Sequence, residues 1–570
     1  MIEICNISSK IVFSLISASN LNKIKPKKTV IYLSLIVVLG LAMRFYYVPT
    51  DLPIVSDGYF EFVYAAKTVF EGSLPIGYNT TNTGWANFLS LFFGLSDTSD
   101  PFYLMQIQRS LSIILSTITI IPAFFIFRKF VNVRWALFGS ILLVIEPRLL
   151  MISLEGINYS LFIFIFVLAI ALFLKKTNIS LFLSFACIAC ATLVRYEGLL
   201  LLIPLSIMYF VKFKDKKSII KFLGMIFIII IILAPMSVLR MHATENICYE
   251  SIFGVRCGDD GFTHAILAGP RFLSQTLTVM PSQETPETTI PMIDENKDKT
   301  ESYVALSENK IIAGFIALLK FIGLALIPYF AFFISYNIIL RIKNGKLVEL
   351  DWDKKMIVLT TGIMLLPALY AYMRGIEEIR YVLILIPLVC ILSISWTNKI
   401  SEKIPKKMSL LVILIVLVVI SSIIFIESKQ VSDYHRELFL VSQKIVELID
   451  ASTFHSNTIF AGDTFHKDGY TRAVVLSHNW PYLPEPNESG KLIPMFHKIT
   501  SENFNDIKHF ITESQKAGLE YIVIDEDAKL FVDLRKNPLK YPYLYKVFDS
   551  DDYDFMNHFR IYKINYEKMI

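Results

Sequence analysis

The sequence predicts a polytopic α-helical membrane protein that ends in a water-soluble α/β domain. Hydrophobic residues make up 54% of the 570, and the mean hydropathy is +0.53. Apolar runs of the length needed to cross a bilayer recur from Thr29 to Ile426 and then stop. Lysines and arginines collect in alternate connections between these runs, the pattern of a chain threaded back and forth through a membrane.

Residues 1–28 read as a cytoplasmic tail. The short apolar run Ile11 to Ala18 follows no strongly basic segment and is followed at once by a full span, so an interfacial tail fits better than a signal peptide. Residues 29–426 then hold about eleven spans. They are Thr29 to Val48, Ser110 to Phe127, Trp135 to Leu154, Ile157 to Leu174, Ile179 to Val194, Leu199 to Val211, Ser218 to Leu239, Phe321 to Leu340, Met356 to Met373, Tyr381 to Trp396 and Ser409 to Ile426. Leu199 to Val211 is short and spans only if Lys212 and Lys214 snorkel; Trp135 to Leu154 carries Glu146-Pro147-Arg148 in its second half.

The basic connections are those at Lys23 to Lys28, Arg128 to Arg134, Lys175-Lys176, Lys212 to Lys217, Arg341 to Lys355 and Lys399 to Lys407, which puts the N-terminus inside. The outer loops are then residues 49–109 and 240–310, with the turn from Met373 to Arg380 and everything after Ile426 on the same side. The net charge of +5 reflects this topology and gives no argument for nucleic acid.

Cys187 and Cys190 have CxxC spacing but sit in an apolar span without other soft ligands, so core packing is expected of them. Cys248 and Cys257 lie in the long outer loop, on the oxidising side, and are expected to close a short disulfide ring. Residues 427–570 form the extracytoplasmic domain. Asp433 to Ile449 and Ser501 to Ala517 read as helices; Asn457 to Ala461, Arg472 to Ser477 and Leu519 to Asp525 read as strands; Tyr543 to Phe548 and Phe559 to Ile564 read as a closing strand pair. Alternating helix and strand implies an α/β layer, and no Gly-rich phosphate loop precedes a helix.

Chemistry is expected at the outer face, where ionisable residues gather at the ends of spans: Arg44, Asp57, Glu61, Glu146, Arg148, Glu155, Arg195, Glu197, Arg240, Arg374, Glu377, Glu378 and Arg380. A carboxylate can take a proton from an acceptor hydroxyl, and arginines hold a phosphate through forked hydrogen bonds. Each has a plainer alternative: Arg44 and Arg195 as headgroup anchors, Glu61 as a solvated position on an amphipathic helix.

In order along the chain, several stretches resemble the polytopic GT-C glycosyltransferases, in particular the protein mannosyltransferase and aminoarabinose transferase group. Arg44 followed by Asp57 and then Ala65 to Gly72 looks like that family's first outer loop. Glu146-Pro147 to Glu155 looks like the proline and later Glu around its third span. Arg195-Tyr196-Glu197-Gly198 is similar to its Arg-x-Glu-Gly turn, and Arg380-Tyr381 to Pro387 to its late Arg-Tyr helix. The oligosaccharyltransferase branch is disfavoured, because no Trp-Trp-Asp-Tyr-Gly-like motif occurs and Asp351-Trp352-Asp353 falls on the cytoplasmic side.

The resemblance implies a GT-C fold and an inverting transfer of a sugar from a polyprenyl- or dolichyl-phosphate donor to a hydroxyl of a protein or glycolipid acceptor. Asp57 would be the general base, Arg195 and Arg380 would hold the donor phosphate, and Glu61 and Glu155 would be supporting acids, with Arg44 and Glu197 as further candidates. Many relatives carry a second acid directly after the Asp; here that position is Gly58, which leaves a divalent cation an open matter. Two other classes compete. A transporter or flippase would place ionisable groups near the bilayer midplane. A non-catalytic envelope assembly protein would need neither Asp57 nor the outer arginines.

Overall fold

The computed structural model describes residues 26–70, 82–244, 308–325, 351–401, 433–448, 459–461, 498–499 and 504–569, single residues and short turns inside these ranges excepted, with a few positions around 420–425. Cys248 and Cys257, most of the loop 240–310, the expected span Ser409 to Ile426 and the expected strand Arg472 to Ser477 lie outside the described residues. The chain is a polytopic helical protein with a small C-terminal sheet. It divides into two compact units, one of residues 1–41, 115–150 and 161–422, the other of residues 42–114, 151–160 and 423–570.

Among the described residues, four helices are long and apolar enough to cross a membrane: Lys27–Tyr47, Pro101–Phe130, Lys216–Val238 and Trp352–Met373. Val133–Val144 and Pro147–Leu154 make a fifth crossing if the pair, bent by 48°, is taken as one span. The bend has a local cause. Proline has no N–H to continue the helix, and the Glu146 carboxylate accepts the Leu149 amide at 2.6 Å, capping the second segment. Shorter apolar helices include Tyr159–Lys175, Asn178–Val194 and Leu385–Ile394.

Two spans begin differently from their apolar runs. The second begins at Pro101 rather than Ser110, so its first nine residues include Gln108 and Arg109. The sixth opens as a 3-10 turn, Tyr196–Leu201, before the helix Leu202–Lys212. Cys187, Cys190 and Cys390 are free thiols.

In the second unit, the segment 49–109 holds two helices, Asp57–Phe70 and Gly84–Phe93. The C-terminal part holds a five-stranded mixed sheet of β1 (Ile459–Ala461), β2 (Lys498–Ile499), β3 (Leu519–Ile524), β4 (Leu544–Asp549) and β5 (Arg560–Ile564), in the order β2-β1-β3-β5-β4. β1 runs parallel to β2 and β3, while β3, β5 and β4 pair antiparallel. Successive strand residues face opposite ways, so β3 sends Ile522 and Ile524 to one core and Tyr521 and Val523 to the other. The first core is closed by the helix Ile507–Gln515. The second is closed by the helix Asp433–Leu448 and by Leu52 and Val55 of the segment 49–109. The expected α/β layer is therefore present, with a helix on each face.

Candidate active site

The helix Asp57–Phe70 starts at Asp57 and is buried nearly all round: Tyr59, Phe62, Val63, Tyr64, Ala65 and Ala66 are each at most 3% exposed. Glu61, one turn on, is 3% exposed and accepts a hydrogen bond from the Asn158 amide at 3.1 Å. This corrects the solvated alternative for Glu61. Asn158 opens one of the chain's Asn-x-Ser sequons, and its burial removes it as a surface glycan site.

Gly58 meets the turn at residues 155–156. A Cβ added there would lie 2.5 Å from Ile54 Cγ2 and 2.9 Å from the Glu155 carbonyl oxygen. The absent second acid thus has a steric reason, since nothing larger than glycine fits against that turn. Glu155 itself is exposed, and Gly156 adopts a left-handed φ of 70° that favours glycine.

Three polar side chains hold this turn and the approach to Asp57. The Trp85 indole N–H donates to the Gly156 carbonyl at 3.0 Å. The Gln108 amide nitrogen donates to the carbonyls of Gly58 at 2.9 Å and Gly156 at 2.8 Å. Arg109, 4% exposed, donates to four backbone carbonyls: Pro49 at 2.6 Å, Leu52 at 2.7 Å, Pro53 at 2.8 Å and Leu154 at 3.1 Å. The segment 49–53 is non-repetitive chain with two prolines, so its carbonyls have no ladder partners and one guanidinium gathers them. Sequence reasoning missed all three residues. The only signal was the adjacent polar pair Gln108-Arg109 at the outer end of an apolar run.

Arg44 is 1% exposed near the end of the helix Pro26–Tyr47, which corrects the alternative of an arginine snorkelling to lipid headgroups.

In the first unit, Arg195 sits in extended backbone between the helix Asn178–Val194 and the 3-10 turn. Its guanidinium pairs with Glu197 at 2.7 Å and lies 5.9 Å from the centre of the Phe162 ring, so it too is no simple headgroup anchor. Glu197 is 6% exposed. The turn reverses because Gly198 packs on the preceding helix: a Cβ there would come within 2.6 Å of the Ala191 and Thr192 backbone. Arg380 lies in the 3-10 turn Ile379–Val382, with Nε at 2.9 Å and Nη2 at 2.5 Å from the same Glu378 oxygen. The Tyr372 hydroxyl donates to the Glu378 carbonyl at 2.9 Å and steadies that segment. Tyr381 lies within electrostatic range of both ion pairs, Arg195–Glu197 and Glu378–Arg380, and each guanidinium is partly exposed.

Among the described residues no three of His, Cys, Asp and Glu come together as a metal-ligand set. The divalent cation left open by the sequence finds no cage there. Trp352 and Asp353, of the Asp351-Trp352-Asp353 stretch set aside as no oligosaccharyltransferase motif, open the helix Trp352–Met364; Trp352 stacks on Phe173 and Asp353 pairs with Lys176 at 2.6 Å.

No family model and no curated protein matches the sequence. Solved structures do. The apo oligosaccharyltransferase of Archaeoglobus fulgidus is similar with a TM-score of 0.52 at 11% identity, over 88% of this chain and 70% of that one. The same enzyme tethered by a disulfide bond to an acceptor peptide containing the NVT sequon gives 0.51 at 12% identity, over 88% and 69%. ArnT from Cupriavidus metallidurans bound to undecaprenyl phosphate gives 0.48 at 11% identity, over 94% and 98%. The two oligosaccharyltransferase structures establish the fold.

Proposed function

From the GT-C fold that this chain has, we infer that it is a membrane glycosyltransferase. It moves a sugar from a polyprenyl- or dolichyl-phosphate donor to an acceptor hydroxyl at the outer face of the membrane. The observation that supports this reading is a pair of partly exposed arginines at 3-10 turns, Arg195 beside Glu197 and Arg380 beside Glu378: guanidiniums so placed suit a phosphate diester, which accepts forked hydrogen bonds. Their carboxylate partners, Glu197 and Glu378, keep them oriented before the donor arrives.

In the proposed reaction the acceptor oxygen attacks the anomeric carbon. The bond from that carbon to the phosphate oxygen breaks, its electron pair leaves on the phosphate, and the hydroxyl proton passes to the Asp57 carboxylate. The lipid phosphate gains negative charge as it departs, and Arg195 and Arg380 offset it. Attack opposite the leaving group inverts the anomeric centre. Phosphate leaves readily without a general acid, so one base and two cations are a sufficient set.

The test is Asp57→Asn in full-length protein in lipid nanodiscs, offered a panel of undecaprenyl-phosphate monosaccharides. Transfer should fall by about 10²–10⁴-fold while undecaprenyl phosphate still binds. Turnover near the wild-type rate in folded protein would overturn the assignment of Asp57.

A further inference from the structure

Gln108 is fully buried and uses one amide nitrogen on two carbonyls from different parts of the chain, Gly58 and Gly156. Its orientation is not arbitrary. Turning the amide over would set its oxygen against both carbonyls, so the nitrogen must face them and the oxygen must face away. That oxygen is itself buried, with no hydrogen-bond partner among the described residues. A buried acceptor left without a donor opposes folding. An apolar side chain of the same length would avoid that cost but would withdraw the donor from both carbonyls, so what the glutamine secures is the tie between them.

The place of the two carbonyls gives that tie its use. Gly58 is the residue after Asp57, in the first turn of the helix, and a Cβ on it would lie 2.9 Å from the Glu155 carbonyl oxygen. Gln108 therefore grips the helix start from one side while the 155–156 turn blocks it from the other. Arg109, the next residue, grips the chain leading into that helix at Pro49, Leu52 and Pro53. We propose that Gln108 is a positioning residue that fixes the first turn of the helix Asp57–Phe70, and so the place from which Asp57 takes the acceptor proton. This rests on Asp57 being the base. A reacting group displaced by about 1 Å costs roughly 10²-fold in rate without changing how the donor is held.

The test compares wild type, Gln108→Met, Gln108→Asn and Asp57→Asn as full-length proteins in nanodiscs. Met keeps the length and removes both polar atoms; Asn keeps the amide but is one methylene too short to reach both carbonyls. Three quantities are read: turnover of the undecaprenyl-phosphate monosaccharide that wild type consumes, the Kd for undecaprenyl phosphate, and amide hydrogen exchange in residues 57–62 and 84–93. With Gln108→Met, kcat should fall about 10–100-fold, KM and the undecaprenyl phosphate Kd should stay within about twofold, and exchange should quicken in 57–62 only. Gln108→Asn should lie between. Unchanged kcat or unchanged exchange in 57–62 overturns the proposal, as does faster exchange throughout both segments, which would mark a merely structural role. If Gln108→Met fails to fold, Gln108→Asn decides on the same readouts. Full turnover by Asp57→Asn instead sinks the base assignment, and the exchange measurement then shows separately whether Gln108 holds the helix.

Discussion

Gly58→Ala isolates the steric argument from any assumption about chemistry. The added methyl would stand 2.5 Å from Ile54 Cγ2, 2.9 Å from the Glu155 carbonyl oxygen and 3.3 Å from Ile157 Cγ2. Ile54 cannot swing clear, because it is 1% exposed and already crowds Gly156, where an added Cβ would lie 2.7 Å from Ile54 Cδ1. The carbonyl cannot retreat freely either, since Trp85 and Gln108 anchor the adjoining Gly156 carbonyl. Overpacking a rigid core costs about 1–3 kcal/mol, and a backbone obstacle points to the upper end. For a unit of roughly 230 residues, a loss of about 3 kcal/mol lowers Tm by about 6–12 °C. Scanning calorimetry of the protein in detergent measures it. Gly362→Ala is the control, because its Cβ meets nothing within 4 Å. A Tm for Gly58→Ala within about 1 °C of that control would refute the claim that glycine is required at this contact.

Arg195→Ala and Arg380→Ala should each weaken undecaprenyl phosphate binding about 10–150-fold, the loss of a charge-assisted contact of about 1.5–3 kcal/mol; calorimetry showing no change in either would remove them from the donor site. Arg436 donates to Asp51 at 2.6 Å, and this bond holds the Asp51 carboxyl below its ordinary value of 3.8. A depressed carboxyl stabilises the fold above its unfolded pKa, and the contribution disappears as pH falls through the folded value. Because the pair is about half exposed, it is worth roughly 0–1 kcal/mol. Asp51→Asn should therefore lower Tm slightly at pH 6 and by progressively less below pH 3.8; a deficit that grows on acidification would contradict this. Reporter fusions after Lys176 and after Glu427 should fall in opposite compartments, and two fusions on the same side would break the proposed topology. A non-reduced digest should contain a Cys248–Cys257 linked peptide; two free thiols in protein from its native membrane would remove that pairing.

The helices were legible because apolar runs of spanning length have few other uses, and the strand pair Leu544–Asp549 with Arg560–Ile564 because two stretches rich in aromatic and β-branched residues flank the acidic turn at Asp549-Ser550-Asp551-Asp552. What was not legible shares one physical cause: polar residues turned inward. Pro101 to Arg109 looked like loop because Gln106, Gln108 and Arg109 interrupt it, yet all three reach backbone carbonyls and the segment is helical. Glu146 looked like a charge inside a span and is the cap at its bend. For Glu61 a solvated reading stood beside a supporting role, and its burial beside Asn158 appears only once residues 97 positions apart meet. Gly58 could be noted as a departure from the family, but its reason lies in a turn that the sequence does not place nearby.

Leu52 and Val55 complete a core with Leu438, Val441 and Ile445 of the helix Asp433–Leu448, almost 400 residues downstream. At 5–20 residues per second, translation from Leu52 to the helix that covers it takes roughly 20–80 s. Throughout that interval the first loop has already emerged while its packing partners are still unmade, so two apolar side chains wait in water or are held by a helper. A nascent chain stalled before Asp433 would carry its spans without a finished first loop. Emergence of the helix Asp433–Leu448, rather than insertion of the last span, is then the event after which Asp51 can meet Arg436, and pulse-chase protease protection of residues 49–55 would time it.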